Sequence, residues 1–145
     1  MKKYFRFVAL IALLCMAWAN AGAASNVTTP PLEGTEWQLT RLQTKIIKAS
    51  DPQKALVLVV KKEGDNAVVS GFAGCNRFSG KAIFDGKNLW ISDVASTKMA
   101  CEEVSMEIET RYTQLLAAVK TYKVKKNKLT LFDVTGQPIL IFQTK

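Results

Sequence analysis

The side chains able to do chemistry in this chain are three cysteines and twelve carboxylates, with no histidine among 145 residues. Without histidine the commonest general base and the commonest neutral metal ligand are missing. Every Ser-His or Cys-His nucleophile pair is missing with them. Zinc would have to use cysteine and carboxylate alone. No Gly-rich phosphate loop ends in Lys-Ser/Thr. The histidine-free Ser-x-x-Lys arrangement is absent too: three residues after Ser70, Ser92 and Ser96 stand Ala73, Ala95 and Met99. Paired-carboxylate glycoside chemistry stays formally open. However, Glu102, Glu103, Glu107 and Glu109 read as the solvated surface of a helix, and Asp65 and Asp85 as turn residues. The expectation is a protein that is not an enzyme, with no catalytic residue, metal ligand or cofactor site.

The cysteines divide by position. Cys15 lies in a leader: Lys2, Lys3 and Arg6 precede the apolar run Phe7 to Trp18, and the small-residue sites Ala19-Asn20-Ala21 and Ala21-Gly22-Ala23 follow. The run is shorter than the roughly 18–20 residues a membrane span needs, and its flanks are those of a bacterial signal peptide cut at Ala21 or Ala23. Cys15 follows Leu13 and Leu14 in mid-run, so lipidation is not expected. Residues 1–23 thus read as a cleaved signal peptide, 24–31 as a polar N-terminal tail and 32–145 as one domain. The expected localisation is periplasmic. Cys75 and Cys101 remain. An even count in an oxidising compartment points to one disulfide. Two buried reduced thiols are the alternative that spacing leaves open. Removing the three leader cations takes the net charge from +8 to 8 − 3, or about +5. That is too modest for a nucleic-acid binder. A monomer is expected. Lys120, Lys123, Lys125, Lys126 and Lys128 crowd one predicted hairpin. They read either as protection of an exposed edge strand or as a weak contact with an anionic surface, the latter through Lys123, Lys125, Lys126 and Lys128.

The elements that must position these groups are mostly strands. Short alternating or β-branched runs separated by turn residues are predicted at 36–42, 55–61, 67–72, 81–84, 88–91, 94–99, 121–125, 128–132 and 139–143. On the first, Trp37, Leu39 and Arg41 fall on one face. Residues 43–54 read as a polar loop and Gly71 to Gly80 as a turn or bulge. From Glu102 to Val119 the period becomes helical: Val104, Ile108, Tyr112, Leu115, Leu116 and Val119 share a stripe, and Glu107 and Arg111 form an i, i+4 pair. Met99 reads as core filler, and Trp37 and Trp90 as core or rim aromatics. The fold class expected is mainly β (α+β): a small, curved, barrel-like antiparallel sheet of about eight strands, with one amphipathic helix packed on it or plugging it.

Three stretches together resemble the META/HslJ-like domain family: Leu32-Glu33-Gly34-Thr35-Glu36-Trp37-Gln38-Leu39, then Gly71-Phe72-Ala73-Gly74-Cys75-Asn76-Arg77-Phe78-Ser79-Gly80, then Ala95-Ser96-Thr97-Lys98-Met99-Ala100-Cys101 ahead of the Glu-rich helix. The similarity covers 32–143. It implies a small barrel-like sheet with a helix, and links to envelope stress, heat shock and novobiocin tolerance. It also implies a fold similar to the secretin pilotins, which bind a partner or lipid in a cracked barrel. The resemblance supplies no catalytic residue.

The bland reading of these signatures is structural: glycines for backbone geometry, Asn76 for a turn, Phe72 and Phe78 for core or rim. The functional reading makes Gly74, Asn76, Arg77, Phe78, Ser96, Thr97 and Lys98 a recognition face. The expected function is a non-catalytic envelope binding or stress-response module whose partner is a protein or a lipidic molecule. Two alternatives stand beside it. One is a carrier of a small apolar or lipidic ligand in a cracked barrel, and the other an inhibitor of an envelope or secreted hydrolase.

Overall fold

The computed structural model describes residues 29, 31–48, 55–63 and 66–144. The leader, both cleavage sites, Cys15 and most of the predicted tail lie outside the described residues.

Alternation of apolar and polar side chains sends one face of every long strand inward. The strands are β1 (Glu36–Leu42), the two-residue β2 (Lys45–Ile46), β3 (Val57–Glu63), β4 (Asn66–Phe72), β5 (Arg77–Asp85), β6 (Asn88–Ser96), β7 (Thr121–Lys125), β8 (Lys128–Phe132) and β9 (Pro138–Thr144). One helix, α1 (Glu103–Ala117), stands between β6 and β7. All strand pairings are antiparallel, in the order β2-β1-β3-β4-β5-β6-β7-β8-β9, and β1 pairs again with β9, from Trp37↔Thr144 to Leu42↔Leu140. The sheet is therefore curved and ring-like; of its nine strands β2 was not predicted, and β6 joins the two runs predicted at 88–91 and 94–99. Its interior is filled by Trp37, Leu39, Leu58, Val60, Val69, Leu89, Leu129, Leu131, Leu140 and Phe142, all at most 1% exposed.

The ring has one weak seam. β6 and β7 pair only at Asn88↔Thr121. Helix α1 packs where they diverge, in contact with β6, and inserts Tyr112, Leu115 and Leu116 into the core, followed by Val119. Ile108 packs half-buried against the same cluster. Burying side chains of this size contributes about 1.5–3 kcal/mol each, so packing rather than end-capping holds the helix: Glu102 makes no side-chain cap bond.

Several local expectations need correction. The Gly-rich stretch is mostly strand, because β4 runs to Phe72 and β5 starts at Arg77, leaving only 73–76 as a turn. Within the presumed loop 43–54, Lys45–Ile46 form β2. Arg41 is exposed and Leu42 buried, since the β1–β9 register shifts between Leu39 and Arg41 and reverses the faces. Met99 is 59% exposed and Val104 61%, so neither fills the core. Both precede the part of the helix that meets the sheet. Arg111 does not pair with Glu107: its Nε and Nη2 donate to Gln43 Oε1 at 3.1 and 2.6 Å.

Candidate functional site

The turn at 73–76 is tight because its ends are tied, with the Ala73 N–H donating to the Asn76 carbonyl at 2.9 Å. Gly74 sits there at φ +102°, a conformation that L side chains rarely adopt. At Gly71, just before the turn, an added Cβ would lie 1.8 Å from the Val57 carbonyl oxygen, so β3 and β4 approach as they do only with glycine there.

Asn76 is 4% exposed and is the junction of three segments. Its Oδ1 accepts from the Thr97 hydroxyl and from the Met99 N–H, both at 2.8 Å. Its Nδ2 donates to the Met99 carbonyl at 3.2 Å and to the Glu109 carboxylate, 3.0 Å to Oε2. Its backbone N–H donates to Glu109 Oε2 at 2.9 Å. Both amide hydrogens and both carbonyl lone pairs are thereby used. Beside this junction Cys75 and Cys101 stand at disulfide distance, with Cα atoms 6.0 Å apart and 26 residues of separation. The segment 97–101 is thus held at one end by the asparagine and at the other by the cysteine pair.

The residues expected to form one recognition face are brought together, but not on one surface. Arg77, Ser96, Thr97 and Lys98 are exposed, and Gly74 is half-buried. Phe78 is 3% exposed and meets Tyr112 edge-on at 5.5 Å between centroids, inside the core. Asn76 is likewise internal. Asn76 holds the face up rather than contributing to its surface, while Phe78, though almost fully buried, also lines a groove at the start of β5.

Outside the ring, the exposed sides of β3, β4 and the start of β5 form an open groove of about 730 Å³. Its apolar lining includes Ala55, Val57, Val59, Phe72 and Met99, with Glu36, Ser70, Arg77 and Thr97 as polar groups. Val104 and Met106, 61% and 41% exposed, are further exposed apolar side chains near the start of α1. A second crevice of about 610 Å³ lies at the seam, lined among others by Leu32, Lys87, Tyr122, Lys123, Val124 and Phe132.

Sequence reasoning missed Glu109, which was placed on the solvated helix face and in fact reaches Asn76. A signal was present. Glu109, Tyr112 and Leu116 are spaced i, i+3, i+7 and share the buried stripe. Among the described residues, no group of three or more cysteines and carboxylates converges as a metal site would require. Tyr112 is fully buried between Phe78 and Phe142, its hydroxyl without a partner, and burial pushes that phenol well above its ordinary range.

The model of the META domain family matches residues 30–145. A solved structure described as the NMR structure of the protein from Burkholderia xenovorans is 23% identical, with a TM-score of 0.64, covering 79% of this chain and 83% of that one. Another, described as an NMR structure of the protein, is 21% identical with a TM-score of 0.58, covering 76% and 88%. At these identities the likeness establishes the fold alone. Among curated protein sequences, none matches this chain.

Proposed function

The chain belongs to the META domain family, and from that premise we propose that it is an exported bacterial envelope protein, a non-catalytic binding module in stress protection. Its contact surface is the groove beside the cysteine pair. The observation that carries this reading is the bracing of segment 97–101: a buried asparagine and a cystine hold exposed Thr97 and Met99 as a fixed wall of an apolar groove. Binding surfaces that need no rearrangement lose less entropy on association. Flexible methionines on such a wall adapt to apolar partners. Arg77 at the rim supplies a planar cation for a carboxylate or phosphate. The basic leader with its small-residue cleavage sites supports export, and a cysteine pair at bonding distance suits an oxidising compartment. The histidine-free composition supports recognition in place of catalysis. The partner is an envelope protein or lipidic molecule that presents an apolar segment beside an anionic group.

Complementation of a deletion strain tests this. The strain should lose tolerance to heat and novobiocin. The native gene should restore it, Phe72→Ala/Arg77→Glu should not, and Val134→Ser, in the remote β8–β9 turn, should. Wild-type tolerance after deletion would remove the stress role. Full rescue by the groove variant would remove the groove. Mass spectrometry of the native protein without reductant would report leader cleavage and the cystine together.

A further inference from the structure

We propose that the β7–β8 hairpin is a docking element that seats the protein on an anionic phospholipid bilayer, beside the point where its N-terminal segment leaves the domain. Residues 110–132 carry Arg111, Lys120, Lys123, Lys125, Lys126 and Lys128 and no carboxylate. All five lysines are exposed, and among the described residues none pairs with a carboxylate, the one ion pair being Lys81–Asp93.

The hairpin is arranged against its own stability. Lys125 lies directly opposite Lys128 in the register, and like charges so placed repel. Lys126 occupies the turn at φ +53°, in the left-handed region that suits glycine or asparagine. The β5–β6 hairpin places Gly86 at such a position, at φ +59°, and the β1–β2 turn places Gln43 there at φ +51°. Edge protection accounts for only part of the pattern: β7 meets β6 at a single position, so Lys123 and Lys125 also guard its open side. β8 is paired on both sides, with β7 and β9, yet carries Lys128 on its outer face. A cationic cluster held at a local cost, and continued by Lys128 onto a strand paired on both sides, is a surface for a polyanion.

One observation selects a bilayer and a second orients the domain on it. Lys87 and Lys123 line the seam crevice together with Pro31 and Leu32, so the chain enters the domain next to the hairpin. Leu32 is fixed there, its carbonyl accepting from Trp37 Nε1 at 3.1 Å. Upstream lies the apolar run ending at Trp18, thirteen residues before Pro31, a span of at most ~47 Å when extended. Until the expected cleavage at Ala21 or Ala23, the tethered chain therefore presents this hairpin to the headgroups. The second observation is topological. In the ring order β1-β3-β4-β5-β6-β7-β8-β9, β8 lies across from β4. Docking through the hairpin leaves the β3–β5 groove facing away from the membrane. The inference does not depend on what that groove binds.

Vesicle co-sedimentation of the exported protein recovered from cells tests it. We expect binding to an equal mixture of phosphatidylcholine and phosphatidylglycerol at least ~tenfold stronger than to phosphatidylcholine alone at low salt, and abolished near ~0.5 M salt. Lys123→Gln/Lys125→Gln/Lys126→Gln/Lys128→Gln should remove most of that preference. Lys45→Gln/Lys48→Gln/Lys61→Gln/Lys62→Gln, with the same net charge, should retain it. Lys125→Gln/Lys128→Gln should raise the thermal midpoint while weakening vesicle binding, which separates docking from folding. Equal loss in the two quadruple variants would overturn the proposal. So would duplex DNA binding more tightly than the mixed vesicles through the same lysines.

Discussion

At the scale of single residues, Asn76 and Tyr112 are opposite cases of buried polarity. Asn76 satisfies every donor and acceptor it has and does so across three segments. Hydrogen bonds to a charged partner are worth about 1.5–3 kcal/mol, so Asn76→Ala should cost about 2–4 kcal/mol in urea unfolding. Asn76→Asp is the sharper test. It sets a second carboxyl against Glu109 at hydrogen-bond distance, and two such groups cannot both ionise cheaply. That variant should gain stability on acidification from neutral pH, as one carboxyl takes up a proton; stability falling in parallel with the parent would contradict the geometry. Tyr112 leaves its hydroxyl unmatched. Tyr112→Phe should therefore raise stability by about 1 kcal/mol at neutral pH. Because burial raises the folded-state phenol well above 10.0, the unfolded chain releases this proton first on the alkaline side. Stability should then fall as pH rises past 10.0, less steeply in Tyr112→Phe. Urea midpoints near neutrality and near pH ~11 would check both statements.

Among the elements, the segment between β6 and α1 depends most on side-chain chemistry, since no sheet pairing holds 97–102. The cysteine pair closes a loop of 26 residues, for which loop entropy gives about 3.5 kcal/mol. Cys75→Ala/Cys101→Ala should lose about that much, and its α1 amides should exchange faster than those of β4. The helix itself was legible from its 3.6 period, as were the hairpins flanked by Asp85-Gly86 and Lys126-Asn127. Its first turn was misjudged. Val104 fits the stripe by spacing but lies before the point where the helix meets the sheet. Periodicity reports which residues share a face, not how far along the helix that face is covered.

In the molecule as a whole, closure is the decisive feature. β1 and β9 join residues about a hundred positions apart, and such non-local pairing makes folding slow for a domain of this size. The strands paired along both edges should exchange amides through global unfolding, whereas β7, tied to β6 at one position, should open locally first. Hydrogen exchange that protects β7 as strongly as β4 would show the seam to be as firm as the rest. The sequence by itself determined the β-rich class, the late helix and the absence of histidine chemistry. Those follow from local composition and period, which any stretch carries alone. Only the tertiary structure decided that Glu109 serves Asn76, that Arg41 turns outward, that Met99 stands exposed on a groove and that the sheet closes on itself. Each of these depends on which distant segment lies opposite, and that is set by the register of strands and by how the helix meets the seam.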